Sequence, residues 1–147
     1  MSIQKVAKNV YVETDTRGAK HGIVVTKQGL VMVDTPQYPK DAVAWRDAIA
    51  KYGTVRYIIH TEPHADHWGG DYFWPEADII AHEGTREEQL KPGADAWPRE
   101  AIKSQGQDSI PFMPPDFHYR IANITISERM TLYMGKHTIQ KIGRAHV

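Results

Sequence analysis

Apolar and polar positions change their period several times along the chain. Residues 6–12 alternate in part, and residues 21–26 and 30–34 are runs of β-branched and apolar side chains. Runs of this length and composition predict strands. Lys27-Gln28-Gly29 separates the last two and fits a hairpin turn, with glycine supplying the permissive backbone. From Pro39 to Tyr52 the spacing of Ala42, Val43, Trp45, Ala48, Ile49 and Tyr52 becomes helical. Pro39 suits a first helical turn and Gly53 a stop. Residues 55–59 predict a buried strand, 78–81 another, and 84–90 a short helix. This alternation predicts a layered α/β sandwich.

The texture then shifts. Residues 91–117 hold five of the nine prolines, which predicts a long surface connection with one helical turn around residues 99–103. Strand patterning returns at 121–126, 130–134 and 137–142, with Glu128-Arg129 and Gly135-Lys136 read as hairpin turns. A chain of 147 residues can bury the core of one domain. Eighteen basic and eighteen acidic residues cancel, so no positive field calls for nucleic acid or an anionic membrane. The absence of cysteine excludes disulfides, thiolate nucleophiles and Cys-ligated metal. No apolar run is long enough to span a bilayer, and the first residues lack the apolar stretch of an export signal. These features predict a cytoplasmic protein whose partner is a small-molecule substrate; they set no oligomeric state.

The densest group of ligand-type side chains follows the strand at 55–59: Glu62, His64, Asp66 and His67. In extended chain, alternate side chains share a face, so Glu62 and His64 can converge on one metal ion. Asp66 and His67 are consecutive and suit a second ion or the water beside it. Imidazole with carboxylate is a zinc-type or iron-type donor set. His60 reads as a supporting or structural side chain. Asp34 ends a buried strand, a usual place for a functional carboxylate in α/β folds. His21, His82 and His118 lack ligand-like neighbours, and His137 reads as an ordinary strand residue.

The segment Thr61-Glu62-Pro63-His64-Ala65-Asp66-His67-Trp68-Gly69-Gly70 resembles the metal-binding motif Thr-His-x-His-x-Asp-His-x-Gly-Gly of the metallo-β-lactamase-fold hydrolases, with Glu62 in place of the first histidine. Val31-Met32-Val33-Asp34-Thr35 resembles the family strand whose aspartate supports the site. The resemblance implies the N-terminal part of an αββα sandwich. It also implies a metal-dependent hydrolase in which metal-bound hydroxide attacks an ester, thioester, amide, lactam or related bond. Glu62 and His64 would hold the first ion, Asp66 and His67 the second, and Asp66 would also orient or deprotonate the nucleophile. Two zinc ions are expected, with iron or manganese as alternatives, because a carboxylate at Glu62 adds charge and weakens Lewis acidity. An iron-dependent redox protein of the same fold is the rival reading.

The resemblance runs from about Lys5 to Gln140, and the later His, Asp and His that complete the family's sites have no counterpart. The ending Ile142-Gly143-Arg144-Ala145-His146-Val147 is the translation of ATC GGA AGA GCA CAC GTC, a string resembling a sequencing adapter. The expected division is a partial domain at 1–141 and an adapter-derived tail at 142–147. The chain as given is then expected to be an inactive part of a larger hydrolase.

Overall fold

A computed structural model describes residues 1–143; the last four residues of the expected tail lie outside the described residues. Seven strands form one sheet in chain order: β1 (Ile3–Ala7), β2 (Val10–Glu13), β3 (His21–Thr26), β4 (Gly29–Val33), β5 (Val55–Ile59), β6 (Asp78–His82) and β7 (Ile124–Ile126). The first four are antiparallel neighbours, and β4 through β7 run parallel. The run at 6–12 is therefore a β1–β2 hairpin rather than one strand. Its turn is carried by Asn9 at φ 64°, a left-handed conformation that asparagine tolerates.

Helix α1 (Pro39–Ile49) crosses from β4 to β5 and buries Pro39, Ala42, Trp45 and Ile49. A 3₁₀ turn, Ala50–Tyr52, completes the helical stretch before Gly53. Side chains of β4, β5 and β6 alternate strictly between two cores. Leu30, Met32, Ile58 and Ile79 join Trp45 and Ile49 under the helix. Val31, Ile59 and Ile80 turn to the other face and meet Ile126 and Met134. That second core is closed by a two-stranded sheet of β8 (Arg129–Met134) and β9 (His137–Ile142). Period-two alternation with both faces apolar is what a central sheet between two layers demands.

Two further expectations are corrected. Glu128-Arg129 makes no hairpin, because β7 belongs to the large sheet and β8 to the small one. The proline-rich connection is more ordered than its composition predicted. After α2 (Glu83–Leu90) it contains α3 (Ala96–Gln105) and a 3₁₀ segment, Gln107–Phe112. Pro98 sits in the first turn of α3, where its missing N–H costs nothing, and Ala101 and Ile102 pack against Tyr38. Among the described residues no helix is long and apolar enough to cross a membrane.

Candidate metal centre

Parallel β4 and β5 end at the same edge of the sheet, and the motif begins there. Asp34, the first residue past β4, is buried and adopts φ 57°. Both of its carboxylate oxygens are engaged. Oδ1 accepts from the Thr61 backbone N–H at 2.8 Å, and Oδ2 accepts from Thr61 Oγ1 at 2.6 Å and His67 Nδ1 at 2.8 Å. With Nδ1 donating to Asp34, the imidazole of His67 is held with Nε2 toward Glu62, and Nε2 contacts Glu62 Oε1. The other Glu62 oxygen, Oε2, accepts from His64 Nδ1 at 2.8 Å. One carboxylate therefore joins two imidazoles. Asp66 Oδ2 lies 3.9 Å from His67 Nε2.

Burial opposes charge on His67, but the Asp34 hydrogen bond and the carboxylates of Asp34, Asp66 and Glu62 outweigh it. The pKa of His67 is raised above the ordinary value. The loop's shape depends on close backbone packing. Residues 65–67 form a single 3₁₀ turn, and Trp68 Nε1 donates to the Pro63 carbonyl at 2.8 Å. A Cβ at Gly69 would come within 2.6 Å of the Gln37 carbonyl oxygen, and one at Gly70 would collide with that of Pro36. The Gly-Gly pair thus lets the motif loop lie directly on the chain that leaves β4, where the Thr35 N–H donates to the His67 carbonyl at 2.9 Å.

The structure brings Asp34, Glu62, His64 and His67 into one bonded cluster with Asp66 at its margin. His60 faces elsewhere. It is wholly buried, and its Nε2 pairs with Asp71 Oδ2 at 2.7 Å. Asp71 Oδ1 accepts from Thr35 Oγ1 at 2.9 Å, and Gln89 reaches His60 Nδ1 at 3.3 Å while accepting from the Ala122 N–H at 3.0 Å. Asp71 and Gln89 carry no sequence signal, and Thr61 and Thr35, though within the two family-like segments, have no role assigned by the sequence alone. The pairing of Thr61 with Asp34 bridges 27 positions, which no local pattern reveals. His82 caps α2 by accepting from the Gly84 N–H at 3.0 Å, and His118 bonds the Asp116 carbonyl.

The donors fit a divalent cation in kind: two imidazoles and two carboxylates, one imidazole fixed from behind by a buried aspartate. Among the described residues, no three His, Asp or Glu side chains already converge on one point as a closed cage does. Glu62 meets the imidazoles through hydrogen bonds, so loading an ion requires exchanging those protons for the cation.

No family model matches the chain, and no curated protein matches it in sequence. Solved structures do match. BJP-1, a subclass B3 metallo-β-lactamase of Bradyrhizobium japonicum, superposes with a TM-score of 0.65 at 22% identity, over 94% of this chain and 50% of that one. A B3 metallo-β-lactamase described as the first with an active-site glutamic acid gives 0.64 at 19% identity, over 94% and 50%. A variant of the sec-alkyl sulfatase PisA1 gives 0.67 at 15% identity, over 94% and 26%. The chain thus spans about half the length of the β-lactamases it matches. The arrangement is a mixed sheet layered between helices and a second sheet. It is the metallo-β-lactamase fold, in its N-terminal part.

Proposed function

We propose that this chain carries the motif loop of a metal-dependent hydrolase, with Glu62 and His64 holding one ion and His67 with Asp66 a second. The observation that carries the reading is the buried Asp34 gripping His67 Nδ1 and leaving Nε2 beside Glu62. A purely structural histidine needs no such partner at a cleft edge, whereas a ligand needs its tautomer and ring plane fixed. When bound, a divalent ion supplies Lewis acidity and lowers the pKa of water. Zinc suits this donor set, and the extra carboxylate also accommodates iron or manganese.

The side chains divide the remaining work. Asp34 keeps His67 from rotating and fixes the proton on Nδ1. Glu62 supplies negative charge between two imidazoles. Asp66, whose side chain is partly open to solvent, takes a proton at its carboxylate from the attacking water. The bond cleaved is an ester, thioester, lactam or sulfate ester. The two named β-lactamases and the alkyl sulfatase act on different bonds on one fold, so fold alone selects none of these.

The test is a titration of the chain with zinc, cobalt(II), iron(II) and manganese(II), followed by calorimetry and by cobalt absorption. Wild type should bind, His64→Ala should lose binding at the first site, and Glu62→His should bind zinc more tightly. Equal metal uptake by wild type and His64→Ala would sink the assignment.

A further inference from the structure

The candidate centre opens onto a cavity of about 490 Å³ lined by Gln37, His64, Ala65, Asp66 and Trp97. Trp97 is its one large apolar group. The other three tryptophans, Trp45, Trp68 and Trp74, are buried, whereas Trp97 is 59% exposed. The exposure does not come from a loose element. Trp97 stands in the first turn of α3, whose residues Ala101 and Ile102 are buried against Tyr38. The Arg17 guanidinium lies 4.4 Å above the Tyr38 ring and donates to the Gln105 carbonyl at 3.2 Å and to Asp108 at 3.0 Å. Tyr38 in turn adjoins Gln37 in the cavity lining. A firmly anchored helix therefore holds an uncovered indole beside the candidate ligands, forgoing the stabilisation that burial of that ring would bring.

We propose that Trp97 is the substrate-recognition platform of this centre, and that its substrate carries a planar apolar group, an aromatic ring or conjugated system, next to the bond to be cleaved. The inference rests on the hydrolase reading above and names the substrate class of that site. The geometry sets apolar and polar functions apart. The indole face takes a flat group by offset stacking, as aromatic pairs prefer. The opposite demands of the reacting group are met by His64 and Asp66. The Gln37 side-chain amide, which also lines the cavity, supplies a donor and an acceptor for the substrate's polar part. A cavity of this size, with one aromatic wall and three polar side chains, lies in the range of small-molecule sites.

The test uses the 147-residue chain with indole ¹⁵N labels and no added metal, so that binding is read without turnover. Methyl 2-naphthylacetate is the planar probe and methyl cyclohexylacetate the non-planar one. The Trp97 indole signal, assigned by its loss in Trp97→Phe, should shift with the naphthyl ester. Trp97→Ala should weaken that binding about fivefold and Trp97→Phe by about twofold, in proportion to the stacking surface left. The cyclohexyl ester should bind more weakly and be insensitive to Trp97→Ala. An unmoved Trp97 signal, or equal binding of the naphthyl ester by wild type and Trp97→Ala, overturns the proposal while leaving metal uptake by Glu62 and His64 to be judged separately. Planar-selective binding in a chain that takes up no metal supports the platform and rejects the metal reading.

Discussion

Two His–carboxylate clusters grow from the same short segment and differ in their surroundings. The pair of His60 and Asp71 is fully enclosed, at 0% exposure for both side chains, and Thr35 and Gln89 complete its hydrogen bonds. The cluster of Glu62, His64 and His67 stands at the sheet edge, with the His64 side chain 68% exposed. The residue types are alike, but enclosure decides what they can do. A sealed and satisfied network cannot trade a proton for a cation without leaving a buried polar group unpaired, so it stiffens the scaffold. The proposed exchange of protons for a cation belongs to the open cluster, where His64 faces solvent.

The contrast is broken most forcefully at Asp71. Replacing Asp71→Ala strips the acceptor from Thr35 and the partner from His60 inside the core, and should lower stability by about 3–5 kcal/mol. Glu62→Ala should change it by about 1 kcal/mol or less. Urea unfolding of both variants is the measurement, and equal losses would erase the distinction.

His21 sharpens the comparison as a buried imidazole outside both clusters. Its ring meets Trp45 edge-on at 4.8 Å between centroids. Burial outweighs the weaker pulls of the Ala19 carbonyl, Glu13 and Asp34, and pushes its pKa down to about 4. The unfolded chain binds that proton more readily. The stability linked to His21 is therefore fully present above its ordinary value of about 6.5 and is lost as pH falls through the folded value, up to about 3 kcal/mol in all. His21→Leu should flatten this part of the stability profile. A slope unchanged by the substitution would show that His21 takes its proton as readily when folded.

His67 carries the opposite sign. Its raised pKa means that its contribution to the stability of the metal-free chain is present below the unfolded value and lost as pH rises through the folded one. Asp34→Asn keeps the shape and the left-handed backbone but spoils the grip on Nδ1. Zinc affinity should fall about 10–100-fold, the usual cost of removing such a support. A competition titration against a zinc chelator measures it, and wild-type affinity in Asp34→Asn would deny the orienting role. The smallest effect is expected outside both clusters. Lys91→Ala breaks an exposed ion pair with Glu88 and should alter stability by less than about 0.5 kcal/mol in thermal unfolding.

Legibility followed the range of the interactions. The strands at 21–26 and 55–59 and the helix from Pro39 were readable because an apolar face imposes its period on neighbouring residues. Helix α3 was obscured by Pro98 and by a polar composition, since its stability comes from packing on Tyr38 rather than from its own periodicity. In the motif, Glu62, His64, Asp66 and His67 stood out because four side chains of ligand type fall within six positions. Their companions did not, because Thr61–Asp34, Asp71–Thr35 and Gln89–His60 are contacts across 27, 36 and 29 positions.

By itself, then, the amino-acid sequence determined the alternation of strand and helix, the neutral charge, the absence of thiol chemistry and the clustering of Glu62, His64, Asp66 and His67 as candidate ligands. Each of these is a property of residue type or of near neighbours. Tertiary structure alone decided that β7 and β8 part into different sheets and that Glu62 lies between His64 and His67 instead of siding with one. It also decided that His60 is sealed within the core, and that Trp97 stands uncovered beside His64 and Asp66. Those outcomes depend on which distant segments share a space and which groups are thereby shut away from water. The energies that settle them, burial and hydrogen-bond completion, are defined only once the chain has closed on itself.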